Sequence, residues 1–441
     1  MSTTRAAWVG LGVALLLVAL AFAVPPVLGW EVWPRAPRST VSGEVPPLHG
    51  FWRPTWWGPG TLPAVLVAAL GVRFGPGLAR RLSWGRLLAA SYAAGLAWLL
   101  SLALVDGGDG LGRAIGDRYE YLPAARAVTD VPGLLHGYVD RIPIDSPEAW
   151  PTQPAGHPPL ALLFFVGLDR LGLGDPTVAG VVVTALAATA VVAVLVTLRA
   201  LGAEEAARAA APLLVLTPAA VFLAVSADAV FTAVGAWGLA CLAIAATAAS
   251  RRGATAWAAL AGLLLGAAVM MSYGLPLLGV LALAVLLAAR SWLPLPVAAA
   301  TALAVVLGFA AAGFAWWEAI GVLHERYWDG IAADRPASYW LWGNLAALLV
   351  CAGPLLGAGL AQTAVARRPR AVALLVAAAA LTVLLADASR MSKAEVERIW
   401  LPFVPWLTIS VALLPERWRR WGLGLQVVWA LAVQHLLYTS W

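Results

Sequence analysis

Five stretches of this 441-residue chain carry residues whose types and spacing suit chemistry. The richest reads Asp106-Gly107-Gly108-Asp109 and then Gly116-Asp117-Arg118-Tyr119-Glu120-Tyr121-Leu122-Pro123. On a helix beginning near Asp117, Glu120 and Tyr121 fall on its face at i+3 and i+4, so two carboxylates and a phenol would converge. Partial loss of water raises a carboxylate's pKa toward the working range of a general base. The plainer alternative makes Asp117 a helix N-cap and Glu120 a solvated partner of Arg118 or Arg126. Next comes His157-Pro158-Pro159-Leu160. Its prolines fix the backbone at a helix start, holding an imidazole that would donate to a phosphate or only to a carbonyl. The third, Ser226-Ala227-Asp228, sets a carboxylate near membrane depth, where ionisable groups are costly and usually functional. Its competing role is again a cap. In the fourth, Arg390, Lys393 and Arg398 stand with Glu395 and Glu397 just before Ile399-Trp400-Leu401-Pro402. These cations would meet an anionic phosphate or, less interestingly, the two glutamates. The fifth, 316–339, mixes tryptophans with His324, Tyr327 and Trp328. Such a mixture suits a sugar, whose C–H face stacks on rings while its hydroxyls are bonded; the alternative is an aromatic belt at a lipid interface.

The elements that must position these residues are dictated by composition. The chain is 61% hydrophobic and 12% charged, with a mean hydropathy of +0.82. Soluble domains are about 45–50% apolar and about 25% charged, so a soluble enzyme and a disordered chain are excluded. A pI near 9.7 and a net charge of +6 form no basic face but are scattered over short loops, so no nucleic-acid partner is expected. Cys241 and Cys351 both lie in apolar runs, leaving neither a disulfide framework nor a thiolate metal cluster. Lys393 is the sole lysine in an Ala-, Gly- and Arg-rich chain, the mark of a GC-rich genome.

A bilayer crossing needs roughly 20 apolar residues, and about thirteen stretches qualify. They fall near 6–28, 61–78, 86–105, 176–198, 209–226, 229–249, 254–272, 274–289, 293–315, 340–364, 371–387, 399–415 and 421–438. The first has a long apolar core ending in Val24-Pro25-Pro26 and is kept as a span rather than a cleaved leader. The short apolar segment 157–173 decides the sidedness of everything after it. If it lies along the outer interface, 16 of the 29 basic residues fall on cytoplasmic loops; if it crosses, 11 do. The positive-inside rule selects the first arrangement. In it, 20 of 23 acidic residues and the long loops 29–60, 106–175, 316–339 and 388–398 fall outside. The sequence therefore predicts an all-α polytopic membrane protein of about thirteen transmembrane helices, with a large extracytoplasmic loop containing juxtamembrane helices. The expected organisation is a single membrane domain, 1–441, with extra spans and a loop in 1–80, a core at 86–415 and the outer loop at 106–175. No internal repeat or inverted symmetry stands out.

Taken in order, the four polar motifs resemble the GT-C superfamily of polytopic glycosyltransferases, in particular its protein O-mannosyltransferase and aminoarabinose transferase branch. That branch has an acidic motif in a large outer loop, then Lys/His-Pro-Pro-Leu, an Asp in a later outer turn, and a basic stretch before a late span. Here these correspond to Gly116–Tyr121, His157–Leu160, Ser226–Asp228 and Lys393–Pro402, over roughly 100–410. The stretch EVERIWLPF also resembles actinobacterial membrane proteins of the methylthioxylose-transferase type. One departure stands: the acidic loop follows the third span, where the superfamily usually places it after the first. Either two spans have been added, or the acid lies elsewhere, at Asp106 or Asp109.

The resemblance implies a polyprenyl-phosphate sugar donor and a hydroxyl acceptor on a cell-envelope glycan or lipoglycan. The enzyme would sit in the plasma membrane of a GC-rich actinobacterium with its active site outside, among membrane lipids. Asp117, or Glu120 after it, would take the acceptor's proton during inversion. His157, Lys393, Arg398 and Arg390 would hold the donor phosphate, and Tyr119, Tyr121, Asp228, His324, Tyr327 and Trp328 would line the substrate. No nucleotide-binding glycine loop is needed; a divalent metal is left open. Two other classes stand beside this one. A flippase of lipid-linked glycans would call for charge within the spans, and a non-catalytic partner in envelope synthesis would tolerate loss of Asp117.

Overall fold

The computed structural model describes residues 3–34, 46–49, 51–365 and 369–438. Arg367 and Arg368, and residues 35–45 and 50 of the first long loop, lie outside the described residues. Among the described residues, seven helices are long and apolar enough to cross a bilayer: Thr4–Leu28, Thr61–Arg81, Trp84–Asp106, Pro176–Ala200, Ala227–Thr247, Arg251–Val269 and Arg370–Ala388. Two bent pairs, Leu295–Ala311 with Trp316–Trp328 at 75° and Ala337–Ala352 with Leu355–Val365 at 105°, bring the number up to nine if each is counted as one span. The protein is an all-α polytopic membrane protein; its described strands are the two-residue pieces Phe51–Trp52 and Leu437–Tyr438, paired antiparallel.

The other expected stretches are not long apolar helices, and local chemistry explains why. Pro212 removes a backbone donor near the end of Glu204–Val215, and after a break the chain coils again only over Ala220–Leu223. Pro402 and Pro405 divide 399–415 into the short turns Val396–Ile399, Val404–Thr408 and Ile409–Leu413. Leu275–Ala289 is simply short. The last helix, Glu416–Leu436, opens on Glu416-Arg417-Trp418-Arg419-Arg420, which makes its start polar.

The helices run between two chemically different ends. At one, Arg80 pairs with Glu416 at 2.7 Å, Arg199 lies over the Trp84 ring, and Arg208 donates to the Ala79 and Leu82 carbonyls. At the other, Gly60 N–H reaches Leu104 O, Thr61 Oγ1 meets His435 Nε2 at 3.1 Å, and Gly112 and Gly116 press on Pro176 and Thr177. The helices Thr61–Arg81, Trp84–Ala103, Pro176–Ala200 and Glu416–Leu436 thus each place one terminus at the arginine end and one at the opposite end. Small residues let the crossings come close, as membrane helices require. A Cβ on Gly10 would lie 2.2 Å from Gly357 O, so the first helix packs backbone to backbone on Leu355–Val365.

Segment 106–175 folds into short helices at the end opposite the arginines: Tyr121–Arg126, Val131–His136, Thr152–Gly156 and Pro159–Arg170. The last has 12 residues, about 18 Å at ~1.5 Å per residue, too short for a hydrocarbon core of ~30 Å. It buries Ala161, Leu162, Phe165 and Val166 against its neighbours. Stretch 316–339, expected as a loop, opens with the helix Trp316–Trp328. That helix is fastened to segment 106–175 by Arg326, which donates to the Ile142 and Trp150 carbonyls.

Candidate active site

The centre of the site is an ion pair. Helix Ala227–Thr247 is capped by Ser226, whose Oγ accepts the Asp228 N–H at 3.2 Å. Asp228 is therefore not the cap, and its carboxylate turns to Arg398, with Oδ2 3.0 Å from a guanidinium nitrogen. Both side chains are buried, 6% and 8% exposed. Arg398 also reaches Glu395 at 3.7 Å. Burial alone would lower the guanidinium pKa, but Asp228, Glu120 and Glu395 outweigh it and raise it, so the cation is permanent. The backbone is held in unfavourable shapes on both sides of the pair. Val225 (φ 59°), Ala394 (φ 69°) and Glu395 (φ 61°) are all left-handed, which costs a non-glycine residue and tends to mark functional positions.

Three groups from segment 106–175 close on this pair. The helix expected near Asp117 begins instead at Tyr121. Asp117 Oδ1 accepts the Tyr119 N–H at 3.0 Å, a local turn that competes with helix, and Pro123 then sits comfortably in the first turn of Tyr121–Arg126. The i+3/i+4 convergence on Asp117 therefore does not form. Asp117 stays partly exposed, whereas Glu120 is buried, and its charge acts on both Arg398 and Tyr121. Tyr121 stacks on Phe165 with centroids 5.3 Å apart and meets the His157 ring edge-on at 5.7 Å. Its hydroxyl is buried without a hydrogen-bond partner among the described residues. Burial first, then the charges of Asp228 and Glu120, push its pKa well up, so it is a neutral donor. His157 Nδ1 lies 3.0 Å from Gln153 O, which places the proton on Nδ1 and leaves the Nε2 lone pair as an acceptor. Burial lowers its pKa, against the pull of Asp228, so the imidazole is neutral. A neutral imidazole of this tautomer accepts rather than donates at Nε2.

The remaining sequence candidates form a second group beside the first. Lys393 Nζ donates to the Ala332 and Arg335 carbonyls at 2.8 and 2.9 Å and lies 4.3 Å from the Trp328 ring centroid. Its backbone N–H donates to Tyr327 Oη, and its carbonyl accepts from Arg335. The ammonium thus pins loop 388–398 to the neighbouring turn. Burial, then Arg390 and Arg335, lower its pKa. Glu395 joins the two groups, facing Arg335 at 3.6 Å and Arg398 at 3.7 Å. His324 is exposed and accepts from Trp328 Nε1, Arg390 is exposed, and Tyr119 is exposed under the Arg118 guanidinium. The structure therefore gathers Glu120, Tyr121, His157, Asp228 and Arg398, sets Lys393, Tyr327 and Trp328 next to them, and leaves Asp117, Tyr119, His324 and Arg390 at the surface. Among the described residues no three of His, Cys, Asp and Glu gather as a metal site.

Sequence reasoning missed Asn344 and Asp387. Asn344 donates to Asp387 Oδ1 at 2.8 Å and to Ser392 O, and accepts the Ala394 N–H, so it holds the strained turn in place. The signal was present: a lone amide inside the apolar run Ala337–Ala352. Arg335, read only as part of a loop, is 5% exposed and carries the second group.

No family model and no curated protein matches the chain. Among solved structures it is similar to the crystal structure of ArnT from Cupriavidus metallidurans in the apo state, at 17% identity, with 76% of each chain covered and a TM-score of 0.34.

Proposed function

We propose that the protein is an extracytoplasmic glycosyltransferase that moves a sugar from a polyprenyl-phosphate donor to a hydroxyl of a cell-envelope glycan, with inversion. The observation that carries this reading is the meeting of Glu120, Tyr121, His157, Asp228 and Arg398, from four separate segments, at one end of a membrane-embedded bundle. The order of the polar motifs supports it, and the charge bias of the loops favours this end as the outer one. Glu120, buried beside Arg398, is the general base in this proposal, and Asp117, turned back on its own chain, belongs to the rim. The acceptor oxygen attacks the anomeric carbon as Glu120 takes its proton, and the bond from that carbon to the phosphate oxygen breaks on the opposite face. Arg398, aimed by Asp228, stabilises the departing phosphate's charge. His157 Nε2 accepts from a sugar hydroxyl, and the Tyr121 hydroxyl donates to the donor.

Purified protein with a polyprenyl-phosphate sugar and envelope glycan from cells lacking the gene tests this. Glu120→Gln is expected to cut turnover by ~10²–10⁴ while the donor still binds, and Asp117→Asn to transfer nearly normally. The reverse pattern would return the base to Asp117, and full transfer by both would remove the proposed chemistry.

A further inference from the structure

The arginine end carries a second feature, remote from Asp228 and Arg398 and independent of the reaction proposed for them. A cavity of about 340 Å³ is lined there by Arg80, Arg208, Arg419 and Arg420, with Glu205 and Glu416. Even with Glu204, which holds Arg208, four cations face three carboxylates and leave it positive. The guanidinia are held in place: Arg208 by Glu204 at 2.7 Å, Arg419 by the Ala412 and Leu414 carbonyls, and Arg80 and Arg420 by one oxygen of Glu416, each at 2.7 Å. A single carboxylate oxygen shared by two arginines leaves both with donors to offer an anion.

An almost wholly apolar groove of about 470 Å³ starts where this cavity ends. Pro212 lines both, and Pro76 and Arg80 of the cavity alternate along one helix with Gly75 and Ala79 of the groove. The groove runs between the Thr61–Arg81 and Trp84–Ala103 helices over a floor of Ala211, Val215 and Leu216. From Val67 to Leu78 it covers about 16 Å at ~1.5 Å per residue, half of a hydrocarbon core of ~30 Å. A headgroup-sized basic cavity joined to an apolar groove one leaflet deep has the shape and charge of a single lipid. Basic pockets between transmembrane helices bind anionic headgroups by this complementarity.

We infer that the arginine end is a binding site for an anionic glycerophospholipid of the adjoining leaflet, with its phosphate among Arg80, Arg419 and Arg420 and one acyl chain in the groove over Pro212 and Val215. Native mass spectrometry of the purified full chain, offered phosphatidylglycerol or phosphatidylcholine, tests it. Phosphatidylglycerol should be retained preferentially, and inorganic phosphate in excess should not displace it, because the tail is part of the grip. Arg80→Gln with Arg420→Gln should lower the preference by about 30-fold, the worth of two arginines facing an anionic lipid. Both side chains are more than half exposed, so their loss should not unfold the protein. Ala90→Phe leaves every arginine and fills the groove, and should weaken both lipids alike. Equal retention of the two lipids, an unchanged preference in the double glutamine variant, full displacement by phosphate, or unaffected binding in Ala90→Phe would each overturn the inference.

Discussion

Replacing Asp228 by Asn leaves Arg398 buried with its nearest counter-charge gone. The two side chains meet at 3.0 Å and are 6% and 8% exposed, the condition in which breaking a pair costs about 3–5 kcal/mol. Glu395 at 3.7 Å and the charge of Glu120 keep part of the compensation, which places the expected loss near the lower limit, about 3 kcal/mol. Adding Arg398→Met removes the orphaned cation and should restore most of that stability, since an apolar replacement of a buried pair is often neutral. The 23 tryptophans make unfolding of the purified protein easy to follow by fluorescence. Glycan transfer by the same samples gives the second reading, and the double-mutant cycle gives the coupling between the two residues. Both variants should fail to transfer, the double one while folded. If Asp228→Asn unfolds with wild type, the burial argument is refuted; if the stable double variant transfers normally, the pair is structural and Arg398 does not serve the phosphate.

Burial pushes Glu397 from 4.5 up to about 7, so the folded protein holds a proton that the unfolded chain releases. Its contribution is fully present below pH 4.5 and is lost as pH rises toward about 7, a span worth roughly 3 kcal/mol. Glu397→Gln should flatten that decline in an unfolding series. His157 has the opposite sign: with its pKa lowered by burial, stability is lost as pH falls below 6.5, and His157→Phe should remove that loss. Asn344→Leu should cost about 1–3 kcal/mol by stripping partners from Asp387 and the Ala394 N–H, measured by the same unfolding assay. Single cysteines placed in a chain without Cys241 and Cys351 should react with an impermeant thiol reagent in intact cells at Asp329 and not at Arg252. Labelling at Arg252 alone would invert the sidedness.

Apolar length was legible in the sequence because crossing a bilayer demands it, and seven of the expected stretches are indeed long helices. Their breaks were not read, although Pro212, Pro402 and Pro405 announced them, because hydropathy averages over a proline that removes one donor. Asp228 stands out by the cost of placing a charge near lipid, His157 by the prolines that fix a helix start behind it, and Arg398 by a cluster of cations that calls for an anion. That Asp228 and Arg398 face each other, 170 residues apart, has no local signature. Glu120 and Asp117 were ranked by a helix start that Tyr121 takes instead, a difference of four residues that decides which carboxylate is buried.

The position of Lys393 has a further consequence. It is the chain's sole lysine, and its amine is shut beneath the Trp328 ring on two carbonyls. An amine-selective acylating reagent should therefore mark the folded protein at the N-terminal amine alone. A second adduct would form only when the turn at 388–398 lifts from its neighbour. Intact mass against time would then act as a clock for that opening, with the rate read in the absence and presence of lipid-linked sugar and no engineered probe.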